Sequence, residues 1–406
     1  MTTAPARRVP RPSTFRHLLP PRPALPTTAT RLANAADIND LRTLARRRAP
    51  RMVFDYVDGA AESERSLRAS IEAFDRLTFR PRVLRDVSSV STATEVLGRR
   101  IAMPLVLGPT GFTRMMHREG ESAVARAAES AGIPYALSTM GTTTAADVAA
   151  AAPRGWNWFQ LYVVRDRARS EQSLELARAA GMDVLVLTVD VPVAGARTRD
   201  VVKWMTLPPT VNWRSALGTL RHPAWWWDFL TSEPLRFATV GGAPDDLAGI
   251  INTMFDPAVT LADLEWIRSV WDGRILVKGI QDERDARELI NVGVDGIVLS
   301  NHGGRQLDRA PVPLELLPGI RDAVGDAAAV FLDGGVRSGA DIAAAVALGA
   351  DAVFVGRTYL YGLMAGGEAG VRRALTLLHT ELTRTMQLLG VRETGDLNRD
   401  HVRVSP

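Results

Sequence analysis

From Leu105 onward the chain alternates short runs of aliphatic and β-branched residues with alanine-rich stretches whose apolar positions recur every three or four residues. Unbroken apolar runs of roughly four to eight residues read as strands buried on both faces, and the longer periodic stretches read as helices that cover them. The pattern predicts eight strands: Leu105–Pro109, Pro134–Ser138, Asn157–Tyr162, Val184–Asp190, Ile275–Gly279, Gly296–Asn301, Ala329–Asp333 and Ala352–Gly356. Helices are expected at Glu119–Ala131, Ser170–Ala180, Asp282–Val292 and Ala340–Leu348, with Leu261–Trp271 leading into the fifth strand. This is the rhythm of repeated βα units. Eight of them can close into a (β/α)8 TIM barrel, and an open doubly wound sheet is also compatible. The strand count favours closure, so the fold expected is α/β, a TIM barrel over residues 37–402 with an N-terminal helical segment.

In that segment Asp37 can cap a helix running to Arg47, and a second amphipathic stretch runs from Arg51 to Phe74 with Phe54, Tyr56 and Val57 on it. Residues 1–36 differ in kind. Six arginines precede the first acidic residue, Asp37, and seven prolines are interspersed, with no apolar core of a secretory signal. They read as a basic, proline-rich cytoplasmic tail, extended or draped over the body. Between the fourth and fifth strands the connection is far longer than a βα crossover, and residues 198–260 are expected as a lid or loop insertion. It carries Trp204, Trp213, Trp225, Trp226 and Trp227.

What sits at the strand ends points to chemistry. In chain order the carboxyl ends deliver Thr110-Gly111, Ser138, Gln160 and Tyr162, Thr188 and Asp190, Lys278, Ser300-Asn301-His302, Asp333-Gly334-Gly335, and Gly356-Arg357. Strands that simply stop at turns would end in Asn, Asp, Gly and Ser. Gln, Tyr, Lys, His and Arg at these positions suggest instead a pocket built where barrel active sites form. His302 can take a proton near neutral pH, and Arg305 offers a planar fork matched to a carboxylate.

Composition narrows the chemistry. The 406 residues are 46% hydrophobic and 23% charged, enough for one large core. There are no cysteines, which excludes disulfides, thiolate nucleophiles and iron–sulfur clusters, so redox chemistry needs an organic cofactor or a non-thiolate metal. The net charge of +4 gives little support to nucleic-acid binding.

The loops after the seventh and eighth strands commonly hold a phosphate in barrels, and here they carry Gly334, Gly335, Arg337, Gly356 and Arg357. No strand-borne GxGxxG followed by an acidic residue is present, which favours a mononucleotide over a dinucleotide. Gln160, Thr188 and Ser138 could hydrogen-bond a flavin edge, and Lys278 could face the side where reduced flavin gathers charge. The alternative for Lys278 is a buried lysine paired with a carboxylate.

With these residues in view, the chain resembles the FMN-dependent α-hydroxy-acid dehydrogenase and oxidase family from about Asp37 to its C-terminus, most specifically at Ser300–Asp308 and Asp333–Gly339. Within that family it is most similar to the bacterial L-lactate dehydrogenases, through Pro109–Arg114, Asp190–Arg197 and Tyr359–Gly367. The resemblance implies FMN-dependent oxidation of L-lactate or a related (S)-2-hydroxy acid to the 2-oxo acid, with a quinone, a cytochrome or O2 as electron acceptor. Use of O2 would make the protein a 2-hydroxy-acid oxidase. It implies His302 as base, Asp190 as the carboxylate that stabilises protonated His302, and Tyr162 as hydrogen-bond partner of the substrate hydroxyl. Arg197 and Arg305 would bind the substrate carboxylate, with Tyr56 closing over it. Pro109, Thr110, Gly111, Ser138, Gln160, Thr188, Lys278 and Ser300 would contact the flavin, while Asp333, Gly334, Gly335, Arg337, Gly356 and Arg357 would hold ribityl and phosphate. No metal is implied, and a homo-oligomer is. The chain departs from the glycolate oxidase pattern at Gly111, where that enzyme has alanine, and Met140, where it has tryptophan. Both changes are expected to admit substrates larger than glycolate.

Two rivals use other chemistry. A flavin-free barrel isomerase acting on a sugar phosphate would need the same phosphate loops, and a non-catalytic barrel would leave His302, Arg305, Arg197 and Tyr56 without a role. For the Trp225–Leu230 cluster, packing against the body is favoured over insertion into the inner face of a membrane, because single aromatic clusters are more often packed.

Overall fold

The computed structural model describes residues 27–199, 222–235, 238 and 255–404. Eight parallel strands form the centre: β1 (Leu105–Leu107), β2 (Tyr135–Ser138), β3 (Asn157–Leu161), β4 (Val184–Thr188), β5 (Arg274–Ile280), β6 (Gly296–Leu299), β7 (Ala329–Asp333) and β8 (Ala352–Val355). They form a closed barrel in sequence order. Closure rests on β8 pairing in parallel with β1, Val353 opposite Leu105 and Val355 opposite Leu107, which excludes the open sheet. Several ladders end before the last residue expected of them. Pro109, Asp190 and Asn301 lie past the final pairings, where the backbone leaves the sheet to build the loops.

The two faces of each strand have different jobs. Every strand sends a side chain into an interior cluster, Val106, Ala136, Trp158, Val186, Leu276, Val298, Phe331 and Phe354 forming its upper layer with Val184 and Ala352 beneath. Trp158 packs edge-on to Phe331 at 6.1 Å, and Phe331 meets Phe354 at 5.5 Å. The antiparallel pair Thr94–Val96 and Arg99–Ile101 adds Val96 and Ile101 at the amino-terminal end. The opposite faces pack outward on the helices. Because side chains alternate with period two, the residue two places on from each interior plug faces the barrel axis again, at the carboxyl end.

The helices expected from periodicity are present at Gly120–Ala131, Arg167–Ala179, Leu261–Val270, Glu283–Asn291 and Gly339–Ala347. The chain from Arg357 to Leu389 is two helices broken at Gly366–Gly367, where φ reaches +62° at Gly367. In the N-terminal segment Asp37 caps Ile38–Arg48 by accepting from Asp40 N–H at 2.8 Å. The stretch expected as one helix from Arg51 to Phe74 is two, Arg51–Asp58 and Arg65–Asp75. The break serves the site: it frees the carbonyls of Tyr56, Val57 and Gly59 to accept from arginines of the barrel loops. The last part of the expected tail, Thr28–Asn34, is a helix that buries Leu32 against the body. Within the long insertion, Pro223–Leu230 is helical. Trp225 is buried and its indole N–H donates to the Met115 carbonyl at 2.9 Å, in line with the packed reading. Trp204 and Trp213 lie outside the described residues.

Candidate active site

Two residues on from the interior plugs stand Gly108, Ser138, Gln160, Thr188, Lys278, Ser300, Asp333 and Gly356. The barrel's own periodicity therefore aims eight small, polar or charged residues at one end. Above them opens a cleft of about 1290 Å³, open solvent at its mouth included. Tyr56, Pro109, Thr110, Gly111, Ser138, Tyr162, Thr188, Arg197, Lys278, His302, Arg305, Asp333, Gly334, Gly335, Arg337, Gly356 and Arg357 line it. Gln160, Asp190 and Ser300 stand behind that lining, each holding or facing a residue that reaches the cleft.

The floor is unfinished without a ligand. Ser138 Oγ donates to Gln160 Oε1 at 2.9 Å, so the amide oxygen is taken, while Gln160 Nε2 and Thr188 Oγ1 are buried with no partner. An unsatisfied buried polar group costs about 1–3 kcal/mol. A planar ring edge bearing carbonyls and ring nitrogens would satisfy both. Lys278 Nζ lies 2.7 Å from Asp333 Oδ2 and donates to Ser300 Oγ at 2.8 Å, and Ser300 Oγ donates to Asp333 at 2.7 Å. The buried lysine thus has the carboxylate its alternative reading required. A third ammonium proton remains for the cleft.

At the other end, Gly334 and Gly335 adopt φ of +106° and +87°, and a Cβ at Gly335 would collide with the Ser70 carbonyl. The following Arg337 lines the cleft, and the helix starting at Arg357 opens onto it with N–H groups free for an anion. Arg357 is spent differently from expectation. Its Nε, Nη1 and Nη2 donate to the carbonyls of Val57, Gly303 and Gly59 at 3.0, 2.9 and 2.7 Å, and burial pushes its pKa down. It ties three loops around the phosphate end while leaving N–H groups over.

The acid-handling half sits on the loops after β3, β4 and β6. His302, in the left-handed region at φ +58°, faces Asp190 Oδ1 and Oδ2 from Nδ1 at 3.1 and 3.3 Å, and Tyr162 Oη from Nε2 at 3.4 Å. Burial alone would raise the Asp190 carboxyl, but His302 and Lys278 hold it below the usual carboxylate range. An ionised Asp190 accepts, so Nδ1 carries the imidazole proton and Nε2 is the basic position, turned toward Tyr162 and the cleft. Burial raises the Tyr162 phenol, which keeps its proton as a donor. Arg197 and Arg305 lie over the Tyr56 ring with Cζ at 5.6 and 5.1 Å from its centroid, and Arg305 Nη1 donates to the Tyr56 carbonyl at 2.7 Å. Two cations beside a basic imidazole suit a carboxylate whose neighbouring carbon bears a hydroxyl.

One expectation about shape changes. A Cβ at Gly111 would lie 2.8 Å from Met140 Cβ. The stem of Met140 already occupies the space of the missing methyl, so Gly111 accommodates Met140 rather than widening the pocket. Sequence reasoning also gave no role to Phe255, which lines the cleft edge-on to Tyr162 at 5.6 Å, nor to Gln306, which joins the two catalytic loops. Phe255 lies near the end of the long insertion, where strand-end position gives no signal. Gln306 lay inside the most specific motif, masked by its ionisable neighbours.

A family model described as FMN-dependent dehydrogenase matches residues 45–404. The chain is 51% identical, over 98% of its length and 96% of the other's, to a Mycobacterium tuberculosis protein from strain H37Rv provisionally named an L-lactate dehydrogenase. It is 43% identical, over 89% of its length and 96% of the other's, to an L-lactate dehydrogenase of Pseudomonas aeruginosa strain LESB58. Among solved structures it is similar to the monotopic membrane protein (S)-mandelate dehydrogenase, with a TM-score of 0.88 and 38% identity over 92% of this chain and 100% of that one.

Proposed function

The chain belongs to the FMN-dependent dehydrogenase family, and from that premise we propose that it oxidises L-lactate, or a closely related (S)-2-hydroxy acid, to the 2-oxo acid. When bound, FMN supplies the acceptor for the two electrons that leave the α-carbon. Pro109–Gly111, Ser138, Gln160 and Thr188 would hold its ring, Lys278, backed by Ser300, would supply a cation to the charge gathered on reduction, and Asp333–Gly335, Arg337, Gly356 and Arg357 would hold ribityl and phosphate. Arg197 and Arg305 anchor the substrate carboxylate, and Tyr56 covers it. Tyr162 Oη donates to the substrate oxygen, which fixes the hydroxyl beside His302 Nε2. His302 takes a proton from the substrate, at oxygen or at the α-carbon, and Asp190 lowers the cost of the imidazolium by either route.

The observation that carries this reading is the single line of contacts from Asp190 through His302 to Tyr162, ending in a cleft with two arginines above and two unpartnered donors below. The test is His302→Ala. The variant is expected to purify yellow with FMN and to lose most turnover with L-lactate; near-normal turnover contradicts the base assignment.

Electrons then pass to a quinone or cytochrome, with O2 as the alternative; turnover in air with and without a quinone analogue separates the two. Among the described residues no helix is long and apolar enough to cross a membrane. Peripheral contact is supported by Trp227 and Leu230, 70% and 73% exposed on the insertion helix, and by the monotopic relative. Sedimentation with anionic vesicles, lost in Trp227→Ser/Leu230→Ser, tests it.

A further inference from the structure

We infer that Gln306 is a positioning residue for the reaction, holding the loop that carries Asp190 and Arg197 in register with the loop that carries His302 and Arg305; the inference rests on the roles proposed above for those four residues. The Gln306 amide is used at both ends. Its Nε2 donates to the carbonyls of Asp190 at 3.1 Å and Val193 at 3.0 Å, and its Oε1 accepts from Gly195 N–H at 3.1 Å. One side chain thus grips three points of a six-residue turn.

The two loops touch there backbone to backbone. A Cβ at Gly195 would lie 2.9 Å from Gln306 Cα and collide with the Arg305 carbonyl. The anchors on either side show what the grip adds. Upstream, Val189 N–H donates to the Lys278 carbonyl at 2.9 Å; downstream, Glu62 N–H donates to the Ala196 carbonyl at 2.8 Å. Between those ties Gln306 reaches across to the turn. Its own loop is fixed at Asp308, which accepts from Ser63 N–H at 3.1 Å and Ser66 N–H at 2.9 Å. The rigid side is therefore the His302–Asp308 loop, and Gln306 transmits that rigidity to Asp190 and Arg197. A neutral amide fits this position, because it offers donors to two carbonyls and an acceptor to one N–H without a charge beside the Asp190 carboxylate.

Loosening the grip lets Asp190 and Arg197 drift relative to His302 and Arg305. A misplacement of up to about 1 Å costs between about tenfold and about a hundredfold in rate. The test is anaerobic stopped-flow reduction of the FMN holoenzyme by L-lactate, with oxalate titrated against the flavin spectrum as a probe of the arginine pair. Gln306→Leu is expected to keep FMN content, to slow reduction at saturating L-lactate by at least about tenfold, and to weaken oxalate binding several-fold. Gln306→Asn, which keeps the amide but shortens its reach, should show the same direction and serves if the leucine variant does not fold.

A double-mutant cycle separates positioning from general stability. If Gln306 acts through Asp190, Gln306→Leu slows reduction far less in an Asp190→Asn background than in the wild type. Equal effects in both backgrounds, or a Gln306→Leu holoenzyme within twofold of wild type in rate and oxalate affinity, overturn the positioning role alone. A wild-type flavin that L-lactate and other (S)-2-hydroxy acids leave oxidised removes the functional reading itself, and the positioning role with it.

Discussion

Replacing Asp190 by asparagine preserves the side chain's shape and removes its charge. The carboxylate stands 3.1 and 3.3 Å from His302 Nδ1, and its side chain is 3% exposed against 23% for the imidazole. In the proposed reaction His302 gains a proton, and the opposite charges then have centres about 4 Å apart, worth about 4 kcal/mol at an effective dielectric of about 20. The imidazole's contact with the cleft lowers this to roughly 2–4 kcal/mol. At about 1.4 kcal/mol per decade, Asp190→Asn should slow flavin reduction by about 30- to 1,000-fold. Oxalate affinity should change by less than about threefold, because the carboxylate is held by Arg197 and Arg305. Anaerobic stopped-flow mixing with L-lactate reads the rate, and titration reads the affinity. Stability gives a second signature. A carboxyl held below its unfolded pKa contributes stability that is complete above the unfolded value and lost as pH falls through the folded one. The asparagine variant should lack that part of the acid-side loss. Reduction within threefold of wild type would refute the electrostatic pairing of Asp190 with His302.

Three further outcomes follow from the packing around the site. Asp58, held at about 2 against the pull of burial by Arg42, Tyr361 and Arg199, ties the Tyr56–Gly59 turn to Arg199, two residues beyond Arg197. Its contribution is complete above the ordinary carboxylate range and fades as pH drops toward about 2; Asp58→Ala should cost roughly 2–3 kcal/mol in urea unfolding at neutral pH, less than a fully buried pair because both arginines keep solvent. Gly111→Ala should lower stability by about 1–3 kcal/mol through collision with Met140 Cβ, and Met140→Gly, which removes that Cβ, should recover part of the melting temperature lost in that variant. Lys278→Met strands Asp333 and Ser300 without their cation, so FMN should dissociate more readily and the apoprotein should lose about 3–5 kcal/mol, as read by fluorescence of released flavin and by denaturant unfolding of the apoprotein.

Most of the site was legible because the barrel's period-two geometry does the placing. Trp158 as an interior plug fixes Gln160 two residues on, as Leu276 fixes Lys278 and Phe331 fixes Asp333, so a correct strand register carries the cleft floor with it. The features that escaped depend on contacts between segments far apart in the chain. The break after Asp58 arises because Gly59 and its neighbours surrender carbonyls to Arg305 and Arg357, hundreds of residues away, where helical periodicity alone runs on to Phe74. The position of Arg357 after β8 points to a phosphate ligand, and its loop-tying bonds depend on carbonyls that only the fold brings beside it. Gly111 by itself implies added space, whereas the fold sets Met140 against it.

The central claim is that this cleft clamps a flavin beside an anchored 2-hydroxy acid. Its most direct test is the visible spectrum of the purified, FMN-reconstituted protein as L-lactate is added without oxygen. The account predicts a yellow protein that bleaches on mixing, with pyruvate formed one for one with flavin reduced. A protein that stays colourless after reconstitution, or keeps its yellow band in excess L-lactate and other (S)-2-hydroxy acids, would contradict it.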